Sequence, residues 1–140
     1  MSGYSMVHRR VQWGDVKPLI YVIDDDPLIC DLVALHLSDF EVRFVHSGWE
    51  GLLDLTQLSP TLILLDIDMP GMTGHDVLEI LRSRPACATT PIMMLTAADG
   101  VEAVQATVAA GATAYMLKPF TRQQLLSRVR RLTRTAEVSW

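Results

Sequence analysis

Apolar positions along the chain fall into two kinds of run that alternate. Short, nearly continuous runs at Leu19-Ile20-Tyr21-Val22-Ile23, Leu62-Ile63-Leu64-Leu65 and Ile92-Met93-Met94-Leu95 read as strands covered on both faces. Val42-Arg43-Phe44-Val45 alternates as a half-buried strand does, and 114–117 is a fifth short run. Between the strands the spacing is helical. Leu28, Leu32 and Leu35 recur at i, i+4, i+7, and so do Leu125, Val129 and Leu132, while Val77, Leu78 and Leu81 form a shorter stripe.

Polar residues mark where these helices start. Asp26 precedes Pro27, a capping side chain before a proline suited to the first turn. Ser47 with Glu50, Asp99 with Glu102 and Thr121 with Gln124 have capping-box spacing. The pattern predicts β1 at 19–24, α1 at 27–37, β2 at 42–46, α2 at 48–57 and β3 at 62–66. It continues with α3 at 74–82, β4 at 91–95, α4 at 99–109, β5 at 114–117 and α5 at 121–133. Five βα units imply an α/β fold: an open, doubly wound parallel sheet with right-handed crossovers. Residues 1–17 lack any sustained period and read as a flexible N-terminal extension, 18–134 as the domain, and 135–140 as a tail.

Composition narrows the classes. The chain has 140 residues, 49% hydrophobic and 20% charged, enough for one self-sufficient core. Its net charge of −4 disfavours a whole-surface nucleic-acid binder. No apolar run approaches the ~20 residues of a membrane helix, and no signal-peptide core follows Arg9-Arg10. Cys30 and Cys87 are too few for a disulfide framework or a zinc site, so a reducing, cytoplasmic setting is expected.

Ligands of open α/β sheets bind outside the carboxyl ends of the strands. The residues there are Asp24-Asp25-Asp26 after β1, Asp66 and Asp68 at β3, Thr96 after β4 and Lys118-Pro119 after β5. Any one alone is ordinary, and Asp26 reads best as a helix cap. Together they form a carboxylate cluster with one hydroxyl and one ammonium. Crowded carboxylates raise each other's pKa values, and a divalent cation relieves the conflict. Hard oxygen donors suit Mg²⁺, an Asp beside the metal can accept a phosphoryl group, and Lys118 and Thr96 suit its oxygens.

Four segments carry a resemblance. They are Ile20-Tyr21-Val22-Ile23-Asp24-Asp25-Asp26-Pro27, Leu64-Leu65-Asp66-Ile67-Asp68-Met69-Pro70-Gly71-Met72-Thr73-Gly74, Pro91-Ile92-Met93-Met94-Leu95-Thr96-Ala97, and Gly111-Ala112-Thr113-Ala114-Tyr115-Met116-Leu117-Lys118-Pro119-Phe120. In this order and spacing, the chain resembles the receiver domain of two-component response regulators over about residues 18–133, in the stand-alone, chemotaxis-regulator-like form. The resemblance implies a flavodoxin-like sheet of order 2-1-3-4-5 and a bacterial, cytoplasmic signalling protein. It implies Asp66 as phosphoacceptor, with Mg²⁺ on Asp25 directly, Asp24 largely through water, Asp66 and the backbone carbonyl of Asp68. Thr96 and Tyr115 would be the switch pair, Lys118 the catalytic lysine, and Lys118-Pro119 a cis bond. A histidine kinase or phosphotransfer protein would be the donor, and a protein target would dock on the α4–β5–α5 face. Such a domain is not an enzyme beyond self-catalysed transfer and autodephosphorylation. Asp68 and Ala98 are the positions implied to flank the path of attacking water.

Two rival readings remain. Leu62-Ile63-Leu64-Leu65-Asp66-Ile67-Asp68 also resembles the first motif of haloacid-dehalogenase-like phosphatases, although it sits mid-chain behind Asp24-Asp25. A pseudo-receiver that binds without taking phosphate is the other. After α5 only seven residues remain, so the chain as given reads as a receiver whose partner supplies the output, with no direct nucleic-acid or membrane contact. Thr113 and Ala114 replace the acids that precede the switch aromatic in dimerising winged-helix regulators, which fits a monomer or weak homodimer. Helix α5 is basic, with Arg122, Arg128, Arg130, Arg131 and Arg134. It reads as a solvated face or as a seat for an acidic protein. The five pocket acids and Lys118 account for the entire net charge of −4, leaving the rest of the chain neutral.

Overall fold

A computed structural model describes residues 17–97 and 101–137, with the side chains of 101–103 and 135–137 excepted. The expected cap at Asp99 and Glu102, the small residue Ala98, and segments 1–16 and 138–140 lie outside the described residues. The strands are β1 Leu19–Ile23, β2 Glu41–Val45, β3 Leu62–Asp66, β4 Ile92–Thr96 and β5 Ala114–Leu117. The helices are α1 Pro27–His36, α2 Gly48–Asp54, α3 Gly74–Ser83, α4 Val101–Ala109 and α5 Arg122–Glu137, with a 3₁₀ turn at Pro85–Cys87. All strand pairs are parallel, in the expected order β2-β1-β3-β4-β5.

β1, β3 and β4 bury both faces because each carries apolar residues at every position that a helix covers. On one face Tyr21, Ile23, Ile63, Leu65, Ile92 and Met94 pack under α2 and α3, with Val77, Leu78 and Leu81 completely buried. On the other, Ile20, Val22, Leu64, Met93 and Leu95 pack under α1 and α5 through Cys30, Val33, Leu37, Leu125 and Val129. β2 is an edge strand and departs from simple alternation. Val42 joins one core and Val45 the other, while Phe44 is exposed.

Helix α1 corrects its predicted orientation. Leu28 and Leu35 are 62% and 71% exposed, and the core-facing stripe is Cys30, Val33 and Leu37 instead. Two apolar stripes coexist on this helix, and only one can face the sheet. Helix ends differ as well. α2 stops at Asp54, because Thr56 and Gln57 bond three residues back to Leu53 and Asp54. α5 runs to Glu137, past its expected end.

The start signals hold where they are described. Asp26 accepts from Leu28 N at 3.0 Å. Ser47 accepts from Glu50 N at 3.2 Å, and Thr121 and Gln124 form a reciprocal pair at 2.9 and 3.1 Å. A further complete capping box joins Thr73 and Asp76 at the head of α3.

Candidate functional site

Each strand delivers its last residue to the carboxyl edge of the sheet, and the following helix is tied back there. The β3–α3 connection shows why the loop is specific. Gly74 N donates to Ile67 O at 2.9 Å, and a Cβ on Gly74 would collide with the Asp66 carbonyl oxygen. Only glycine lets α3 start this close to the end of β3. Gly71 in the same loop has φ 77°, a left-handed conformation that glycine adopts without strain.

Asp24 and Asp66 are buried, and Asp25 is exposed beside them. One carboxylate oxygen from each of the three lies within 4.8 Å of the other two. Lys118 Nζ sits 2.9 Å from Asp24 Oδ2 and 3.2 Å from Asp66 Oδ1. Lys118 follows β5 and leads into the cis Lys118-Pro119 bond. Asp24 Oδ1 accepts from Asp26 N at 2.9 Å, and Asp66 Oδ1 from Asp68 N at 3.3 Å. Asp24 Oδ2 has Lys118 as an ion-pair neighbour but no aligned hydrogen bond among the described residues. A buried carboxylate oxygen that rests on one shared ammonium keeps lone-pair capacity for a further ligand.

The electrostatics carry the same conflict. Burial first, and the charge of Asp24 second, push the Asp66 carboxyl up to about 7, although Lys118 pulls the other way. Burial opposes the charge on Lys118, but its close contact with and attraction to Asp24, then Asp66, outweigh that and raise its pKa. One ammonium therefore offsets two buried carboxylates incompletely. These donors fit a small hard divalent ion. The set is all oxygen, it is under-compensated by the protein, and one buried oxygen has no aligned partner.

Thr96 is buried at the end of β4, one residue beyond Leu95, the strand partner of Asp66. Tyr115 is half-buried on β5 opposite Met94, packed against the α2–α3 side of the core. Arg128 Nη1 donates to the Tyr115 carbonyl at 2.8 Å, so this arginine of basic α5 braces β5. Arg130 lies 3.7 Å from Asp39. The Asp68 side chain is exposed and stands outside the carboxylate cluster.

Two neighbours of the pocket escaped the sequence reading. His46 Nδ1 is 3.0 Å from the Asp24 carbonyl oxygen. A carbonyl only accepts, so Nδ1 carries the proton and donates. Cys30 Sγ donates to the same oxygen at 3.7 Å, and burial with the nearby Asp24 charge pushes its thiol up to about 12. His46 follows β2, so the strand-end rule applied to all five strands would have found it.

The fold and site together define a doubly wound α/β domain with an acidic pocket at the carboxyl ends of β1 and β3, countered by a lysine after β5. Residues 20–130 match the model of the response regulator receiver domain, and the chain belongs to that family. It is 33% identical over 147 residues to the transcriptional regulatory protein TrcR of Mycobacterium tuberculosis, covering 96% of this chain and 56% of that one. It is 37% identical over 124 residues to the DNA-binding response regulator MtrA of Mycolicibacterium smegmatis, covering 87% of this chain and 53% of that one. The chain thus spans about half the length of these curated relatives. Among solved structures, the chemotaxis protein CheY4 of Vibrio cholerae superposes with TM-score 0.79 at 31% identity, covering 84% of this chain and 99% of that one. Among the described residues no helix is long and apolar enough to cross a membrane.

Proposed function

We propose that the domain, residues 18–134, accepts a phosphoryl group on Asp66 and signals the change to a protein partner. The observation that carries this is the buried Asp66, crowded by Asp24 and Asp25 and only partly neutralised by Lys118. Asp66 attacks the phosphorus of a phosphohistidine on a histidine kinase or phosphotransfer protein. An O–P bond forms, the P–N bond breaks, and the donor imidazole keeps its electron pair and takes a proton. Asp24, Asp25, Asp66 and the carbonyl of Asp68 would hold Mg²⁺, which supplies charge neutralisation for the entering phosphoryl oxygens. Lys118 offers them an ammonium, and Thr96 a hydroxyl.

The switch follows from local charge. Phosphoryl oxygens draw Thr96 inward, and Tyr115 moves into the space it leaves, biasing the α4–β5–α5 face between two arrangements. A protein target docks there, in the cytoplasm. The exposed leucines of α1 begin in the turn that follows Asp24-Asp25-Asp26, which gives a protein donor apolar footing beside the pocket.

The test is intact-mass spectrometry after treatment with a small-molecule phosphodonor and Mg²⁺. One phosphoryl adduct is expected on the native chain and none on Asp66→Asn. A full adduct on Asp66→Asn would falsify the assignment. Absence of any adduct on the native chain points to the pseudo-receiver, and turnover of phosphate monoesters to the phosphatase reading.

A further inference from the structure

On the side of the molecule formed by α2 and α3, a groove of about 370 Å³ is lined by Trp49, Gly71, Met72, Asp76, Glu79 and Ile80. Its lining combines the apolar side chains of Trp49, Met72 and Ile80 with the acids Asp76 and Glu79. Trp49 is 70% exposed, and Leu53, one turn further along α2, is 72% exposed. Large apolar side chains left open beside one another on a helix face mark a surface that something covers. The nearby arginines do not neutralise these acids. Arg82 is turned to Gly111, Cys87 and Thr90 carbonyls, and Arg84, just after α3, to the Leu52 carbonyl.

We propose that the chain's own N-terminal segment, residues 1–16, is the occupant of this groove. Arg9 and Arg10 pair with Glu79 and Asp76, and the apolar side chains from Tyr4 to Val7 cover Met72 and Trp49.

Three observations favour this occupant. The first is charge. Within 1–16 the basic residues are Arg9 and Arg10 and the single acid is Asp15, while the groove carries two acids and no base. The second is reach. Arg10 lies eight residues before Pro18, which spans about 26 Å when extended. Strand β1 climbs only about 17 Å from the same point, so the extended tether exceeds the height of the sheet. The third is exclusion of a nearer seat. The groove of about 280 Å³ beside Pro18 is lined by Arg130 and Arg134 as well as Asp39, and Asp39 is already matched with Arg130 at 3.7 Å. That seat repels a second pair of arginines. The proposal does not depend on phosphoryl transfer and fails or stands separately from it.

The test uses the full chain with a nitroxide on Ser2→Cys. Cys30 and Cys87 are buried and stay unlabelled. Paramagnetic broadening is expected at the Trp49 indole and at the Gly71, Met72 and Ile80 amides. It should vanish in Arg9→Glu/Arg10→Glu and return when Glu79→Arg is added. No broadening at the groove, or broadening confined to Phe40 and Thr133, overturns the proposal. So does equal broadening in a mixture of spin-labelled and isotope-labelled chains, which would make the occupant a second copy.

Discussion

At the amino edge of the sheet, Arg82 donates to the carbonyls of Gly111, Cys87 and Thr90 at 2.7–2.9 Å and to Thr113 Oγ1 at 3.3 Å. At the carboxyl edge, two buried aspartates share one lysine, and Asp24 Oδ2 finds no aligned donor. Both edges hold charge away from bulk water. Burial pulls the Arg82 pKa down and pushes the Asp66 carboxyl up. The difference lies in compensation. The guanidinium is a cross-link whose donors are spent on loops preceding β4 and β5. The carboxylates keep capacity in reserve, which is what a ligand site needs and a structural clamp does not.

The largest way to break this contrast is at the lysine. Lys118→Ala removes the only cation shown in contact with Asp66 among the described residues. Transfer from a small-molecule donor should slow by about 10²–10³, the usual loss for one charge-stabilising donor, read as a time course of intact mass. Unchanged kinetics would remove Lys118 from the chemistry.

Next in size is the opposite edge. Arg82→Ala should lower unfolding free energy by about 2–3 kcal/mol, a charged donor group lost from several carbonyls, measured by urea denaturation. Arg82→Lys should recover little, since an ammonium cannot match the planar fork. The folded fraction should accept phosphate at the native rate, because this edge takes no part in the pocket.

A smaller effect of opposite sign is expected from Asp66→Asn. The Asp66 carboxyl stands at about 7 when folded, against 3.8 ordinarily. Between those values the folded chain holds the proton more tightly than the unfolded chain. Stability therefore falls as pH rises through that window, and the ionised group costs stability at neutral pH. Asp66→Asn should stabilise the metal-free domain by about 1–2 kcal/mol at neutral pH, with the gain gone below 3.8. Thermal unfolding at both pH values decides the sign. Mg²⁺ should raise the melting temperature of the native chain more than that of the variant.

The smallest stability effect belongs to α1. Leu28→Ser/Leu35→Ser should change stability by less than about 0.5 kcal/mol, as exposed substitutions do. It should nevertheless slow transfer from a protein donor while sparing a small-molecule donor. Equal rates with both donors would detach the leucine stripe from donor docking.

The two helices under one sheet face show how far periodicity carries. α5 buries Leu125 and Val129, as its stripe predicts. α1 has the same spacing at Leu28, Leu32 and Leu35, yet it turns Cys30, Val33 and Leu37 inward. Its remaining residues are so apolar that two stripes compete, and spacing alone cannot rank them. The pocket was more legible. Asp24, Asp66, Thr96 and Lys118 each end a strand or follow one directly, and Asp25 comes one residue after Asp24, so topology converts their sequence positions into one edge. His46 directly follows β2, so the same rule extended to that strand reaches it. Arg82 was not legible from its neighbours in sequence, because its partners, the Gly111 and Thr90 carbonyls, are backbone atoms that carry no residue-type signal.

By itself the sequence determined the alternation of strands and helices, the parallel doubly wound class and the list of acids at strand ends. These follow from local spacing and from one rule of topology, so no contact needed to be known. Only the tertiary structure decided which α1 stripe is buried, that Asp24 Oδ2 lacks an aligned donor, and that Arg82 is consumed as a clamp while Lys118 is shared. Each of those depends on distances between residues far apart in the chain, where burial and hydrogen-bond geometry, not residue type, set the energy.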